Sequence, residues 1–389
     1  IHNTLIGALS GDAFTDADFN VGVGYATISS DTLGTQSTAV GYSALGNQNF
    51  TTATEAHNTA IGYIAGNAIT TGRLTTLVGS LAGYRLTSGN SNVAVGYGSL
   101  STDTKGDRNV AIGNSALESQ NFTTTTDAYN VAVGYTAGQS VTTGKQNTFV
   151  GGLAGDATTT ADDNTAVGYA ALGANTTGNN LVAVGSGALD ANTTAANNIG
   201  IGANALGVNT TGSDNTSVGT NSLDANTTGA SNTALGYRAL SANTTASDNT
   251  AVGKDALRVN STGANNTAIG FGALDVNTTG SENQALGTYA LATNTTGANN
   301  VAVGYNASGA STTGANNVIV GFRAGQVLTT GGGNTFIGAN SGNGNVITTG
   351  TNNVAVGFNV EQNATGVTNS IVIGHNFASG SNDFSFGKA

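Results

Sequence analysis

One glycine returns at a fixed interval along this chain. Between Asn215 and Gly321 the pattern N-T-A-V-G recurs with its glycine at Gly219, Gly236, Gly253, Gly270, Gly287, Gly304 and Gly321, each step 17 residues long. A short, unvarying period is the mark of one supersecondary unit that buries its apolar face only against the next unit. Each 17-residue segment is therefore expected to be one coil of a solenoid. Upstream the glycine recurs from Gly7 to Gly202, and two steps are longer: Gly41 to Gly62 and Gly113 to Gly134 are 21 residues each. The four extra residues fall at equivalent places, within GNQNFTTATEAH and ESQNFTTTTDAY, and predict longer loops at one corner. The inserted segments lie 72 residues apart (134 minus 62), four coils, or about 19 Å at the spacing of neighbouring strands. After Gly338 the steps become 19, 17 and 13, so the regular repeat runs over residues 1–374 and residues 375–389 read as a cap or junction, with Phe377, Phe384 and Phe386 in it.

With one coil written N-T-A-V-G-Y-x-A-L-x-x-N-T-T-G-x-x and numbered 1 to 17, the marker glycine is position 5. Position 4 is Val, Ile or Leu, as at Val40, Ile61, Val218, Leu235 and Ile337, and position 2 is usually Thr or Val. Alternate residues of a strand share a face, and β-branched residues favour strands, so positions 2 and 4 point one way and position 3 the other. Positions 3 and 9 trade volume. Position 3 is large at Leu5, Leu77, Phe149, Ile319 and Phe336, and in those coils position 9 is Gly11, Gly83, Gly155, Gly325 and Gly342. Where position 3 is Ala234, Ala251 or Ala268, position 9 is Leu240, Leu257 or Leu274. Close packing demands such compensation if the two share one space. Ala60 with Gly66 and Ala132 with Gly138 break the trade, and Ile69 and Val141 at position 12 are expected to supply the missing bulk. Two apolar compartments per coil follow, one behind position 4 and one shared by positions 3 and 9. In a homotrimer the compartment shared by positions 3 and 9 would lie between chains, and in a monomer both would be internal.

Composition narrows the function. Of 389 residues only 8% are charged, 59 are glycine, and there is no proline, cysteine, methionine or tryptophan, which leaves a thin core of alanine and valine without disulfides. The formal charge of -11 and the lack of any Lys/Arg cluster argue against nucleic acid. No apolar run is long enough to insert in a membrane as a helix. A chain that starts at Ile1 without any methionine reads as a processed piece of something longer, and the absence of cysteine fits a virion surface or extracellular setting.

No catalytic, cofactor or metal constellation is expected. His2, His57 and His375 stand apart in sequence, Asp162 and Asp163 occupy corner positions, and the G-x-G at Gly22 to Gly24 lacks the acidic partner and helix of a nucleotide site. N-T-T-G, as at Asn226 to Gly229, is turn chemistry, because Asn and Gly tolerate left-handed backbone and Thr hydroxyls bond locally. Ranked threonines of this kind also allow an ice-binding reading. Position 6 carries aromatics from Tyr25 to Phe358, interrupted by Ser186, Thr220 and Lys254, and is expected to form a partly exposed packing ladder. Since loops carry specific contacts, the candidate receptor residues are those of the inserts: Phe50, Glu55, Phe122 and Asp127.

The N-T-A-V-G-Y-x-A-L unit, as in Asn164 to Leu172 and Asn232 to Leu240, resembles the head repeats of trimeric autotransporter adhesins, and looks even more like longer variants in phage tail fibres. The likeness spans nearly the whole chain. It implies an all-β fold, a left-handed parallel β-roll in a homotrimeric fibre. With about 22 coils, its length would be on the order of 105 Å. In such fibres the closing segment often leads to an autoproteolytic chaperone domain, and Ser385, Phe386, Gly387 looks like the approach to one. The function implied is non-enzymatic attachment of a virion to a bacterial surface glycan or protein. A bacterial surface adhesin or extracellular filament is the alternative.

Overall fold

The computed structural model describes residues 2–343, 348–362, 365–376 and 378–388. These residues form strands and turns without a helix, in two compact units, Ile1–Ala196 and Asn197–Ala389. Each unit is a parallel β-solenoid. Its main ladder is built of three-residue strands from positions 2 to 4, such as Thr165–Val167 in the first unit and Thr250–Val252 in the second. Neighbouring rungs are parallel and in strict 17-residue register: Thr250 faces Thr267, Ala251 faces Ala268, and Val252 faces Ile269. The inserts do not shift this register, since Thr38 still faces Thr59 and Val110 still faces Val131.

Up to Thr335–Ile337 each strand of the main ladder stops after three residues, where the marker glycine turns the chain. Gly253 has φ +129°, and a Cβ there would sit 2.7 Å from the carbonyl oxygen of Gly270 in the next coil. Only glycine allows both that dihedral and that approach, which explains why position 5 never varies within the regular repeat. Positions 7, 9 and 17 are also left-handed, at Asp255 (φ 55°), Leu257 (φ 49°) and Asn265 (φ 59°). For leucine this conformation costs roughly 1–2 kcal/mol. Leu257 is fully buried, so its contacts offset the strain.

The core of each unit lies behind positions 3, 8 and 9, as in Ala251, Ala256 and Leu257, all fully buried. The space shared by positions 3 and 9 is thus internal to a single chain, one of the two arrangements that the sequence leaves open, and the expectation corrected is the compartment behind position 4, which does not form inside the chain. Position 4 points outward and is half-exposed, with Leu235 and Leu286 each 48% accessible. The geometry also explains the volume trade. A Cβ on Gly155 would lie 2.5 to 2.7 Å from the Phe149 ring, and one on Gly83 would lie 2.8 Å from Leu77. The two exceptions arise because a large position-3 side chain also reaches the preceding coil. A Cβ on Gly66 would be 2.6 Å from Leu77, and one on Gly138 would be 2.8 Å from Phe149. Ile69 and Val141 are fully buried as expected, but the residue that dictates glycine at 66 and 138 is one coil further on.

Two asparagine ladders flank the core. At position 1, Asn249 Oδ1 accepts from the backbone N–H of Asn266 (3.0 Å), whose own Nδ2 donates to Gly280 O (2.9 Å). At position 12, Asn226 Nδ2 donates to Asn209 Oδ1 (2.8 Å) and to Gly229 O (2.9 Å). These amides are buried, and each satisfies turn backbone groups that would otherwise lack partners in a coil this thin. The N-T-T-G corner is thus turn chemistry with a buried asparagine. The first threonine is also used internally: Thr227 Oγ1 donates to Thr244 O (3.0 Å).

At the C-terminal end the strand Ile371–His375 pairs with Phe384–Lys388, Ile371 facing Phe384, so the closing segment adds a further rung to the second unit. The expected boundary after residue 374 falls inside the first of these strands. Phe384 and Phe386 are exposed, and Phe377 lies outside the described residues.

Candidate functional site

The two inserts fold alike. Each follows a coil whose position 12 is aspartate in place of the usual asparagine, Asp31 and Asp103, and both carboxylates are fully buried. Asp31 Oδ1 accepts from the N–H groups of Gly34 (3.1 Å) and Phe50 (2.9 Å), and its Oδ2 accepts from Gln48 Nε2 (2.7 Å). Asp103 receives the same three donors from Gly106 (3.2 Å), Phe122 (3.0 Å) and Gln120 (2.7 Å). A carboxylate suits this place because it accepts on both oxygens, and hydrogen bonds to an ionised acceptor are among the stronger ones. The glutamine oxygens continue the network to the next coil, where Asn58 and Asn130 donate at 2.9 and 2.8 Å.

Past the phenylalanine each insert returns as a short extra strand. Thr54–Glu55 pairs in parallel with Gly34–Thr35, and Thr126–Asp127 with Gly106–Asp107. The result in the first unit is two anchored ridges at one corner. Phe50 and Phe122 are only 5% and 7% exposed. Their rings pin the ridges and offer no surface to a receptor. Glu55 and Asp127 stand on the outside. Glu55 lies 3.6 Å from His57 Nε2, and Asp127 forms an ion pair with Arg108, whose guanidinium also lies over the Tyr129 ring at 5.5 Å. His57, alone in sequence, thus has a carboxylate neighbour. His2 stacks on Phe19 at 5.0 Å and His375 on Phe358 at 5.3 Å. Asp162 accepts from the N–H of Lys145 (2.7 Å), in keeping with a corner role.

The first ridge has a cleft on each side. One, of about 410 Å3, runs between residues 53–55 and His57, Arg73 and Leu74. The other, of about 330 Å3, runs between the same residues and Asp18, Phe19, Thr35 and Gln36. Both lie in the range of small-ligand sites and both are open to solvent.

A second exposed feature is the position-6 column. Tyr25, Tyr42 and Tyr63 stack at 5.4 Å intervals, as do Tyr305 and Phe322 at 5.5 Å. Lys254, an interruption in sequence, sits 5.9 Å from the Tyr237 centroid and 5.6 Å from that of Phe271, so it joins the ladder as a cation between two rings. Arg323 lies 5.2 Å from the Phe322 centroid in the same way. Three carboxylates at position 10, Asp156 and Asp190 in the first unit and Asp224 in the second, have pKa values raised above the ordinary carboxylate range, first of all by burial.

Among the described residues no group of three or more His, Asp or Glu is placed to hold a metal ion, and no helix is long and apolar enough to cross a membrane. The chain matches no family model, and neither a curated protein nor a solved structure gives a significant match.

Proposed function

We propose that this chain is a structural and adhesive fibre segment, acting without enzymatic chemistry at a virion or cell surface, and that three copies assemble side by side. The observation that carries the reading is the outward row of positions 2 and 4. Each rung from Val21–Val23 to Ile371–His375 places an aliphatic side chain, such as Val252, Ile269 and Leu286, on the outer face of the main ladder while the internal core is already filled. Within each unit, a half-exposed aliphatic row that repeats from rung to rung is the surface expected of a protein that meets another copy. Covering it would contribute roughly 1 kcal/mol per rung, about half the value for fully burying such a side chain.

The phage tail fibre reading combines this row with the resemblance of the repeat. Three identical faces would present three copies of the ridges in the first unit, and weak contacts to a bacterial surface glycan or protein would combine by avidity. The test is binding of the labelled protein to intact bacteria together with competition against adsorption of a phage carrying the same fibre. Saturable binding that blocks adsorption is expected. Saturable binding without competition would move the assignment to a bacterial adhesin or filament, and no binding would refute the adhesive reading. Ice binding finds less support, because hydroxyls such as that of Thr227 are committed to the neighbouring coil.

A further inference from the structure

Position 17 of every coil is left-handed, and the side chains placed there differ sharply along the chain. From Asp163 to Asn316 the residues are Asp, Asn, Ser and Glu, with φ between 57° and 61°. Asn and Asp are the residue types that enter this region most readily apart from glycine. Around the two ridges the same position holds Gln36 (φ 62°) and Ser91 (φ 57°) and, among the bulky residues, Phe19 (φ 60°), His57 (φ 49°), Leu74 (φ 59°), Arg108 (φ 60°) and Tyr129 (φ 53°). These are costly residues for that backbone. Unlike Leu257 they do not regain the cost in the core, since Phe19 is 58% and Leu74 55% exposed. Strain held by exposed side chains beside a cleft points to contact with something outside the chain.

The strained residues coincide with the clefts. Phe19 lines one side of the Thr54–Glu55 ridge, and His57 and Leu74 line the other. The ridge between them is rigid, held by the buried Asp31, Gln48 and Phe50. Preorganisation of this kind lowers the ordering cost of binding. At the second ridge Arg108 already occupies the equivalent space, paired with Asp127 and lying over Tyr129. At the first, Gln36 stands where Arg108 does, and the space between ring, amide and carboxylate is open.

We infer that the two clefts flanking the first ridge form one carbohydrate-binding site for an uncharged oligosaccharide, with Phe19 and Leu74 as apolar platforms and Glu55, Gln36, His57 and Arg73 as hydroxyl partners. The lining decides the class. His2 stacks on one face of the Phe19 ring at 5.0 Å, so the other face is the one left to pack on the C–H face of a sugar, while carboxylate, amide and guanidinium together serve hydroxyls that both donate and accept. A strongly anionic polymer would meet Asp18 and Glu55, and a cationic one would meet Arg73, so neither sign is favoured. The inference rests on the adhesive reading above and names its ligand class and its site.

The test replaces the strained residues with the type used in the second unit. Phe19→Asn and Leu74→Asn should each raise the melting temperature by relieving the backbone, and each should weaken binding at least tenfold. Binding is read by saturation-transfer NMR and calorimetry with hexose and N-acetylhexosamine oligosaccharides of two to four units, and in parallel on intact bacteria. Glu55→Gln should weaken binding without changing the melt. Undiminished oligosaccharide binding by both Asn variants, or a lowered melting temperature in either, would overturn the site. Cell binding by the wild-type protein without oligosaccharide binding would overturn the ligand class and leave the adhesive reading standing. If the wild-type protein binds neither, both fall.

Discussion

Phe149 fills a space that belongs to two coils, and its removal should be repairable only by two leucines. Its ring is fully buried and lies where a Cβ of Gly155 (2.5 Å) or of Gly138 (2.8 Å) would stand. Phe149→Ala opens a cavity between the two glycines and should cost about 3–5 kcal/mol. Gly155→Leu in the wild-type background drives a side chain into the ring, costing about 1–3 kcal/mol for overpacking and roughly 1 kcal/mol more for leucine at a left-handed position. If the volume trade is physical, the double variant is converted to the coil type of Ala166 and Leu172 and recovers most of the loss. The coupling should be at least about 3 kcal/mol, well beyond the roughly 0.5 kcal/mol within which independent sites add. Adding Gly138→Leu should recover most of the remainder, because the hole above that coil is then filled as well. A solenoid can open locally, so global melting alone is a poor readout. The assay is native-state hydrogen exchange at the amides of Gly138 and Gly155, bonded to Ala154 O and Ala171 O at 2.9 Å. Additive effects in the double variant would refute the shared space. Full recovery without Gly138→Leu would refute the reach into the preceding coil.

Three other outcomes follow from the same geometry. Gly253→Ala, which meets the Gly270 carbonyl at 2.7 Å with φ +129°, should raise exchange across its own and the next coil and destabilise by more than about 2 kcal/mol; wild-type protection there would refute the stacked-glycine account. Asp31→Ala leaves the donors of Gly34, Phe50 and Gln48 unpaired, should cost about 3 kcal/mol, and should expose residues 51–53 to proteolysis, whereas a protease-resistant insert would show that the carboxylate is not its anchor. Asp156 and Asp190 flank Gly173, and both are raised, mainly by burial, so their protonated forms are favoured in the folded chain. The stability they contribute is complete below the unfolded value of 3.8 and is lost as pH rises through the raised folded values. Melting should therefore rise as pH falls from neutral toward about 4, Asp190→Asn should reduce that rise, and an unchanged pH dependence in this variant would contradict the assignment.

Much of this fold could be read from the period alone. An unvarying glycine with a three-residue β-branched run beside it has few interpretations, and the trade between Phe149 and Gly155 leaves a trace in sequence because close packing conserves volume. What could not be read is reach. Adjacent coils lie about 4.8 Å apart, less than the length of a phenylalanine side chain, so Gly138 answers to a residue of the next coil and looks like an exception within its own. The site was legible only in part. Standing in loops, Phe50 and Phe122 read as contacts, yet the insert folds its aromatic inward and its carboxylate outward. A signal was present: only before the two inserts does Asp at position 12 precede Gln 17 residues later and Phe 19 residues later, at Asp31, Gln48, Phe50 and at Asp103, Gln120, Phe122. The strained column at Phe19, His57 and Leu74 was not legible, because left-handed backbone at position 17 is set by the turn and does not follow from residue type.

If copies meet across the outer face of positions 2 and 4, charge placed on that face should separate them. Light scattering on the wild-type protein and on a Leu235→Lys, Leu286→Lys variant tests it directly, since both side chains are half-exposed and their replacement leaves the internal core untouched. The expected mass is three times 38.0 kDa for the wild type and 38.0 kDa for the variant, with the same β-sheet circular dichroism. A wild-type mass of 38.0 kDa, or a variant that remains trimeric, would contradict it.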